Sequence, residues 1–156
     1  MTVYQWEKQL LQGEEGEKKL DKYFEKWYNI RNASIEQQQK GIDREFFKPD
    51  GTKLTVEIKS DSKAAETKRV FIETKKNVGM GRWGWAWTCQ ADMLVYWVIP
   101  HYIFMIKPHD LRMQLPYWMK KFPRKLAQNN HYVTEGYVVP LWEFQRVCSS
   151  VRSVSL

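Results

Sequence analysis

Residues 42–59 constrain the fold most, because two short β-patterned runs, IDREFF and LTVEIK, are joined by Pro49-Asp50-Gly51. Proline presets φ, aspartate hydrogen-bonds to its own backbone and glycine takes φ > 0, so the tripeptide turns the chain and the two runs pair as a hairpin. Strand side chains alternate faces, which sends Glu57 and Lys59 one way and Ile58 the other, toward a core. A hairpin preceded by a helical run and followed by further β-patterned runs predicts a chain that combines helices and strands, with three or four strands after one helix.

From Tyr4 to about Ile30, Trp6, Leu10, Leu20, Phe24 and Trp27 recur at helical spacing, with a break expected near Gly13. Strands are expected near residues 33–38, 42–47, 53–59 and 69–74. KKNVGMGRWGW, with three glycines among cations, reads as a mobile basic loop, and AWTCQADMLV fits helix or strand. VYWVI and YIFMIK read as strands turning at Pro100-His101. A helix starts at Pro108 and runs through Leu111, Leu115 and Trp118, and GYVVPLWEFQRV reads as a last strand entering a short helix. Residues 1–148 are expected to form one domain, with the serine-rich stretch 149–156 a flexible tail.

The 156 residues carry 25 Lys+Arg against 18 Asp+Glu, a formal charge of +7 that favours a polyanionic partner. Cys89 and Cys148 have no cysteine or histidine at zinc spacing, so neither a zinc site nor a disulfide framework is expected. No apolar run approaches the roughly 18–20 residues of a membrane helix, and MTVYQWEKQL has no apolar signal core; a cytoplasmic protein with no membrane partner is expected.

Asp43 opposite Glu57 brings two carboxylates onto one surface, with Lys59 beside them. Two acids suit Mg²⁺, a hard cation that prefers oxygen ligands and keeps several waters; Mn²⁺ is expected to substitute, and the Ile58 carbonyl is a further candidate ligand. Such an ion lowers the pKa of bound water and neutralises charge on a leaving oxygen, while a lysine polarises the nucleophile or contacts the phosphate. The alternative is an ordinary solvated face of a sheet.

GID at 41–43, the turn and VEIK at 56–59 together resemble the PD-(D/E)XK nuclease superfamily, with Ile42-Asp43 in place of Pro-Asp. The resemblance covers roughly residues 13–106 and implies an α/β fold with a restriction-endonuclease-like core, a mixed central sheet with flanking helices in the order αβββαβ. It assigns metal coordination to Asp43 and Glu57 and the catalytic lysine to Lys59. Gly13, Glu17 and Leu20 reproduce the G-x-x-x-E-x-x-L pattern of archaeal-type Holliday-junction resolvases and similar small phage-borne nucleases, which implies Glu17 as a further metal ligand. Glu14, Glu15 and Glu25 share its helix, and the register decides between them. GWAWTCQADMLVYW resembles the segment after the catalytic strands in such nucleases. It makes Gln90 a candidate for the helix glutamine, although no tyrosine follows four residues on, and Asp92 a structural carboxylate. Glu45 and Glu73 are reserve acids.

Lys63, Lys75, Lys76 and Arg82 are candidate nucleic-acid-binding residues, with Lys68 and Arg69 near them and Lys120, Lys121, Arg124 and Lys125 as a second cluster. The expected function is a Mg²⁺-dependent DNA endonuclease on branched, Holliday-junction-like DNA. Cutting two strands calls for two sites, hence a homodimer or higher homo-oligomer. A sequence-specific restriction or homing endonuclease on the same core is the alternative, and a non-catalytic DNA-binding module is a second.

Overall fold

In the computed structural model, the backbone is described for residues 3–156 and side-chain surroundings for residues 13–156. The expected facing of Trp6 and Leu10 therefore lies outside the described residues. The long first helix, α1 (Val3–Phe24), runs unbroken through Gly13 and Gly16. A Cβ at Gly16 would lie 3.3 Å from the Trp97 ring, so the glycine serves close packing that outweighs its poor helix propensity.

The helix stops at Phe24 rather than near Ile30, because the next residues join the sheet as β1 (Asn29–Asn32). Residues 35–39, expected in a strand, form the helix α2 (Ile35–Gln39). Ser34 explains the difference: its Oγ accepts the Gln37 N–H at 3.1 Å, and Gln37 Oε1 accepts the Ser34 N–H at 2.8 Å, a reciprocal helix cap. The hairpin follows as β2 (Arg44–Phe47) and β3 (Lys53–Asp61). Gly51 takes φ +86°, and Asp50 Oδ1 accepts from the Thr52 N–H and hydroxyl, as the turn chemistry requires.

Beyond β3 come α3 (Ala64–Thr67), β4 (Arg69–Asn77), β5 (Arg82–Trp83) and α4 (Trp85–Thr88). The glycine-rich stretch expected to be a mobile loop is thus mostly the end of β4 and the hairpin into β5, turning at Gly81 with φ +66°. The ambiguous segment resolves into α4 and β6 (Met93–Val98), which turns through Pro100 and His101 into β7 (Tyr102–Ile106). The chain ends with α5 (Pro108–Lys121), β8 (Arg124–Gln128), β9 (Val133–Pro140), α6 (Leu141–Val147) and β10 (Ser150–Ser153).

One sheet has the order β1-β2-β3-β6-β7-β10, parallel only between β3 and β6, and a four-stranded antiparallel sheet has the order β5-β4-β9-β8. The architecture is mixed α/β, with a second sheet that the sequence did not announce. Residues 149–156 are not a loose tail: β10 pairs with β7, and Val154 and Leu156 pack against the core. No helix among the described residues is long and apolar enough to cross a membrane.

Strand alternation divides the core. Leu20 and Phe24 of α1 pack with Phe46, Val56, Ile58, Val95 and Trp97 on one face of the six-stranded sheet. On the other face, Leu94, Tyr96, Phe104 and Ile106 meet Val70 and Ile72 of the second sheet, with Leu115, Trp118 and Phe144 of the C-terminal helices. Glu57 and Lys59 are in register with Leu94 and Tyr96, so they project on this second face, away from α1.

Candidate active site

The notch forms where β2 leaves β3. Arg44 pairs with Val56, and one step further Asp43 lies opposite Glu57, its N–H donating to the Val56 carbonyl at 2.8 Å. The next rung is made by a side chain: the Ile58 N–H donates to Asp43 Oδ2 at 2.7 Å. N–H and C=O of one strand residue point to the same side, so the Ile58 carbonyl opens toward Asp43, where no strand backbone remains to meet it. Asp43, Glu57, Lys59 and Ile58 are therefore brought together.

Glu57 is 5% exposed. Its Oε1 lies 3.1 Å from Lys59 Nζ, while its Oε2 is buried with no hydrogen-bond partner. Lys59 Nζ is also 5.9 Å from the centre of the Trp85 ring. Above Oε2 the wall is Gly41, whose φ of +73° suits glycine and whose Cβ would sit 3.4 Å from Oε2 and 3.1 Å from Cys89 Cα. Burial, followed by the charge of Glu57, pushes the Cys89 thiol up to about 12, so it stays neutral, and its Sγ donates to the Gly41 carbonyl at 3.5 Å. Gly41 and Cys89 are site residues that the sequence reading passed over; only the glycine of GID gave a signal.

An unpartnered buried carboxylate oxygen is costly unless a cation or donor meets it. Glu57 Oε2, Asp43 Oδ1 and the Ile58 carbonyl are all hard oxygen donors, and Oδ1 has no hydrogen bond among the described residues, so the set fits a Mg²⁺ or Mn²⁺ ion. Among the described residues no cluster of three or more His, Cys, Asp or Glu side chains gathers as a metal cage, so any ion here keeps several waters. Gly41→Ala is expected to remove divalent-ion binding, by straining the left-handed turn and filling the space over Oε2, and to destabilise the fold by about 1–2 kcal/mol. Titrating thermal midpoint against Mg²⁺ checks this: a wild-type-sized upward shift in the variant counts against the site.

Glu17 is not part of this constellation. Arg44 shares a strand face with Phe46 toward α1, and its Nη2 holds Glu17 Oε2 at 2.9 Å while its Nε holds Asp21 at 3.1 Å. Glu17 thus sits across the sheet from Glu57 and acts on the notch only indirectly, since Arg44 Nη1 also donates to the Asp43 carbonyl at 3.0 Å. A metal-ligand role for Glu17 is corrected to that of an ion-pair partner. Gln90 is exposed, and its backbone N–H donates to the Lys40 carbonyl at 2.9 Å, tying the α4 exit to the GID turn. Asp92 is structural as expected, its Oδ2 accepting from the Thr55 N–H and hydroxyl, both at 2.9 Å. Glu45 pairs with Lys53 at 2.8 Å, and Glu73 accepts the Trp85 N–H at 3.3 Å, so both reserve acids are engaged elsewhere.

The basic residues fall on the second sheet and its approach. Lys75 and Lys76 are on β4 and Arg82 on β5; Lys76 and Arg82 line a surface cavity of about 320 Å³ with Asn77 and Tyr132. Lys63 stands just before α3. The second cluster is split: Lys120 and Lys121 end α5, whereas Arg124 and Lys125 begin β8, with Arg124 held by Glu135 at 2.8 Å. No protein-family model, curated protein or solved structure matches the chain.

Proposed function

We propose that this chain is a divalent-cation-dependent endonuclease that hydrolyses DNA phosphodiester bonds, Mg²⁺ being the working ion and Mn²⁺ a substitute. The observation that carries this reading is the buried, unpartnered Glu57 Oε2, set beside Asp43 and the Ile58 carbonyl with Lys59 at hand. Part of the strand order lends support to a restriction-endonuclease-like core: α1 precedes the antiparallel β1-β2-β3, and β6 returns parallel to β3, although the two short helices α3 and α4 and the second-sheet strands β4 and β5 stand where the αβββαβ order expects one helix. The net charge of +7 suits a DNA partner.

Asp43, Glu57 and the Ile58 carbonyl hold the cation. When bound, Mg²⁺ supplies a water of lowered pKa and offsets charge developing on the phosphoryl oxygens. Lys59 does the chain's own share: its ammonium, 3.1 Å from Glu57, stays within reach of the attacking water and the scissile phosphate. The water oxygen gives up a proton to solvent and forms a bond to phosphorus as the bond to the leaving strand's oxygen breaks, and that oxygen takes up a proton from solvent. The neutral Cys89 thiol adds no negative charge, so the site presents two carboxylates and one amine.

Branched DNA is the favoured substrate and a homodimer the favoured assembly, two sites cutting two strands. Incubation of a four-way junction and a matched linear duplex with and without Mg²⁺, read on denaturing gels, tests this. Mg²⁺-dependent paired nicks at the junction are expected. Cutting of linear duplex alone at one sequence would replace branch preference with a restriction-type activity, and cleavage of no DNA with either ion would overturn the nuclease reading.

Lys59→Ala is expected to leave cation binding in place and slow single-turnover cleavage by roughly 10²–10³-fold, the usual loss of one preorganised charge at a reacting centre. Mg²⁺ titration of the thermal midpoint alongside single-turnover rates checks both halves; unimpaired turnover removes Lys59 from the mechanism.

A further inference from the structure

β3 carries Glu57, Lys59 and Asp61 on one face, so the strand leads from the notch to a second concave surface. There a cleft of about 430 Å³ opens between the α3 approach and the outer face of the second sheet. Phe71 and Val138, paired across β4 and β9, form its floor. Gly136 keeps that floor flat: a Cβ there would collide with the Phe71 ring. Lys63, Arg69 and Lys125 form an exposed rim, and none of the three has an ion-pair partner among the described residues.

Asp61 is the one acid in the lining, and its oxygens are already occupied. Oδ1 accepts the Lys63 and Ala64 N–H groups at 2.8 and 2.9 Å, and Oδ2 accepts the Tyr96 hydroxyl at 2.7 Å. Three unneutralised cations around an apolar floor suit an anion attached to something apolar. A phosphodiester strand has that form, with phosphate oxygens for the cations and sugar carbons for Phe71 and Val138.

We infer that this cleft grips the DNA strand being cut, at a phosphodiester about two nucleotides from the scissile bond. The spacing follows from the strand: Glu57 to Asp61 is four residues, about 13 Å at roughly 3.3 Å per residue, and neighbouring phosphates on one strand lie roughly 6–7 Å apart through space, of which the axial rise is only a part. The inference rests on the nuclease reading for the identity of the strand, but binding tests it without any cleavage.

The experiment measures affinity of the full chain for duplex DNA in EDTA across a salt series, for wild type and for Lys63→Ala/Arg69→Ala/Lys125→Ala. With about 0.9 of salt slope per phosphate contact, loss of the grip on one phosphodiester should cost the triple variant a slope of about 0.9 and make it bind about tenfold more weakly. A neutral methylphosphonate linkage about two nucleotides from the cleaved bond should weaken wild type and add nothing in the triple variant. Lys63→Arg/Lys125→Arg should bind like wild type, and all variants should keep the wild-type thermal midpoint. An unchanged slope, or additive losses from the linkage and the substitutions, would overturn the site. So would tight binding of a mononucleotide by wild type with unaltered DNA binding by the triple variant, because the cleft would then be a free-nucleotide site. Failure of wild type to cut any DNA would count against the notch chemistry alone, leaving the salt slopes readable.

Discussion

Glu57→Gln is expected to abolish the proposed cleavage and at the same time to make the protein harder to unfold. In the wild type Glu57 Oε2 is buried without a partner, a position a charged oxygen occupies at a cost of about 1–3 kcal/mol relative to a neutral group that can relax. The amide relieves much of that cost. It also loses the pairing with Lys59, but the lysine side chain is 35% exposed and water screens the pair, so under about 1 kcal/mol is given up. A net gain of roughly 1 kcal/mol should raise the thermal midpoint by about 2–4 °C in a chain of this size. Catalysis moves the opposite way, by roughly 10³-fold or more, because the amide cannot hold a hard cation as a carboxylate does. With the proposed site, Mg²⁺ is expected to bind the folded wild type and raise its midpoint, whereas the variant should ignore the ion. A Glu57→Gln protein that cuts DNA at the wild-type rate, or that Mg²⁺ stabilises as much, removes the metal assignment.

Trp118→Ala is expected to give the largest loss of stability. Trp118 is wholly buried between α5 and the second sheet, and its indole N–H donates to Glu143 Oε1 at 3.0 Å. Arg146 grips that same carboxylate at 2.7 Å and, with the indole, holds it below the usual carboxylate range. Truncation empties a large volume and takes one donor from a buried acid, a loss of about 3–5 kcal/mol. That is a large share of a total of roughly 5–15 kcal/mol. Urea unfolding should show the midpoint falling with an unchanged slope. Trp142→Ala, one residue before Glu143 but 64% exposed, should stay within about 0.5 kcal/mol and serves as the control. Equal midpoints for the two variants would mean that Trp118 does not bind the C-terminal helices to the core.

The hairpin was legible because its information is local: Pro49, Asp50 and Gly51 dictate the turn, and alternation then fixes which side chains share a face. Ser34-Ile35-Glu36-Gln37 was equally local and was read past, since a polar segment with no buried residue in its helix offers no hydrophobic period to compete with a strand reading. The second sheet was hidden for another reason. β8 reads RKLAQ and is almost wholly exposed, so its place comes from its pairing with β9 and not from its own pattern. β10 was masked by serines: its one apolar residue, Val151, is exposed, and the residues that pack against the core, Val154 and Leu156, follow the strand.

The site divides along the same line. Asp43, Glu57 and Lys59 are a matter of register across one turn. Cys89 reaches Gly41 over a separation of 48 residues, and Glu17 meets Arg44 over 27, and no spacing rule reaches that far. The helix pattern around Glu17 was present in the chain. What the pattern left open was the facing: a neighbouring arginine on the α1 side of β2 claims the carboxylate first.

The Ile58 amide has as its acceptor not a neighbouring strand but the Asp43 carboxylate. A backbone rung is thereby spliced to a ligand. Ordering of the β3 end would poise those oxygens for a cation, and a cation held at Asp43 would in turn fix the carboxylate that the amide relies on. Occupancy and local backbone order would then share one coupling free energy, felt equally from either end.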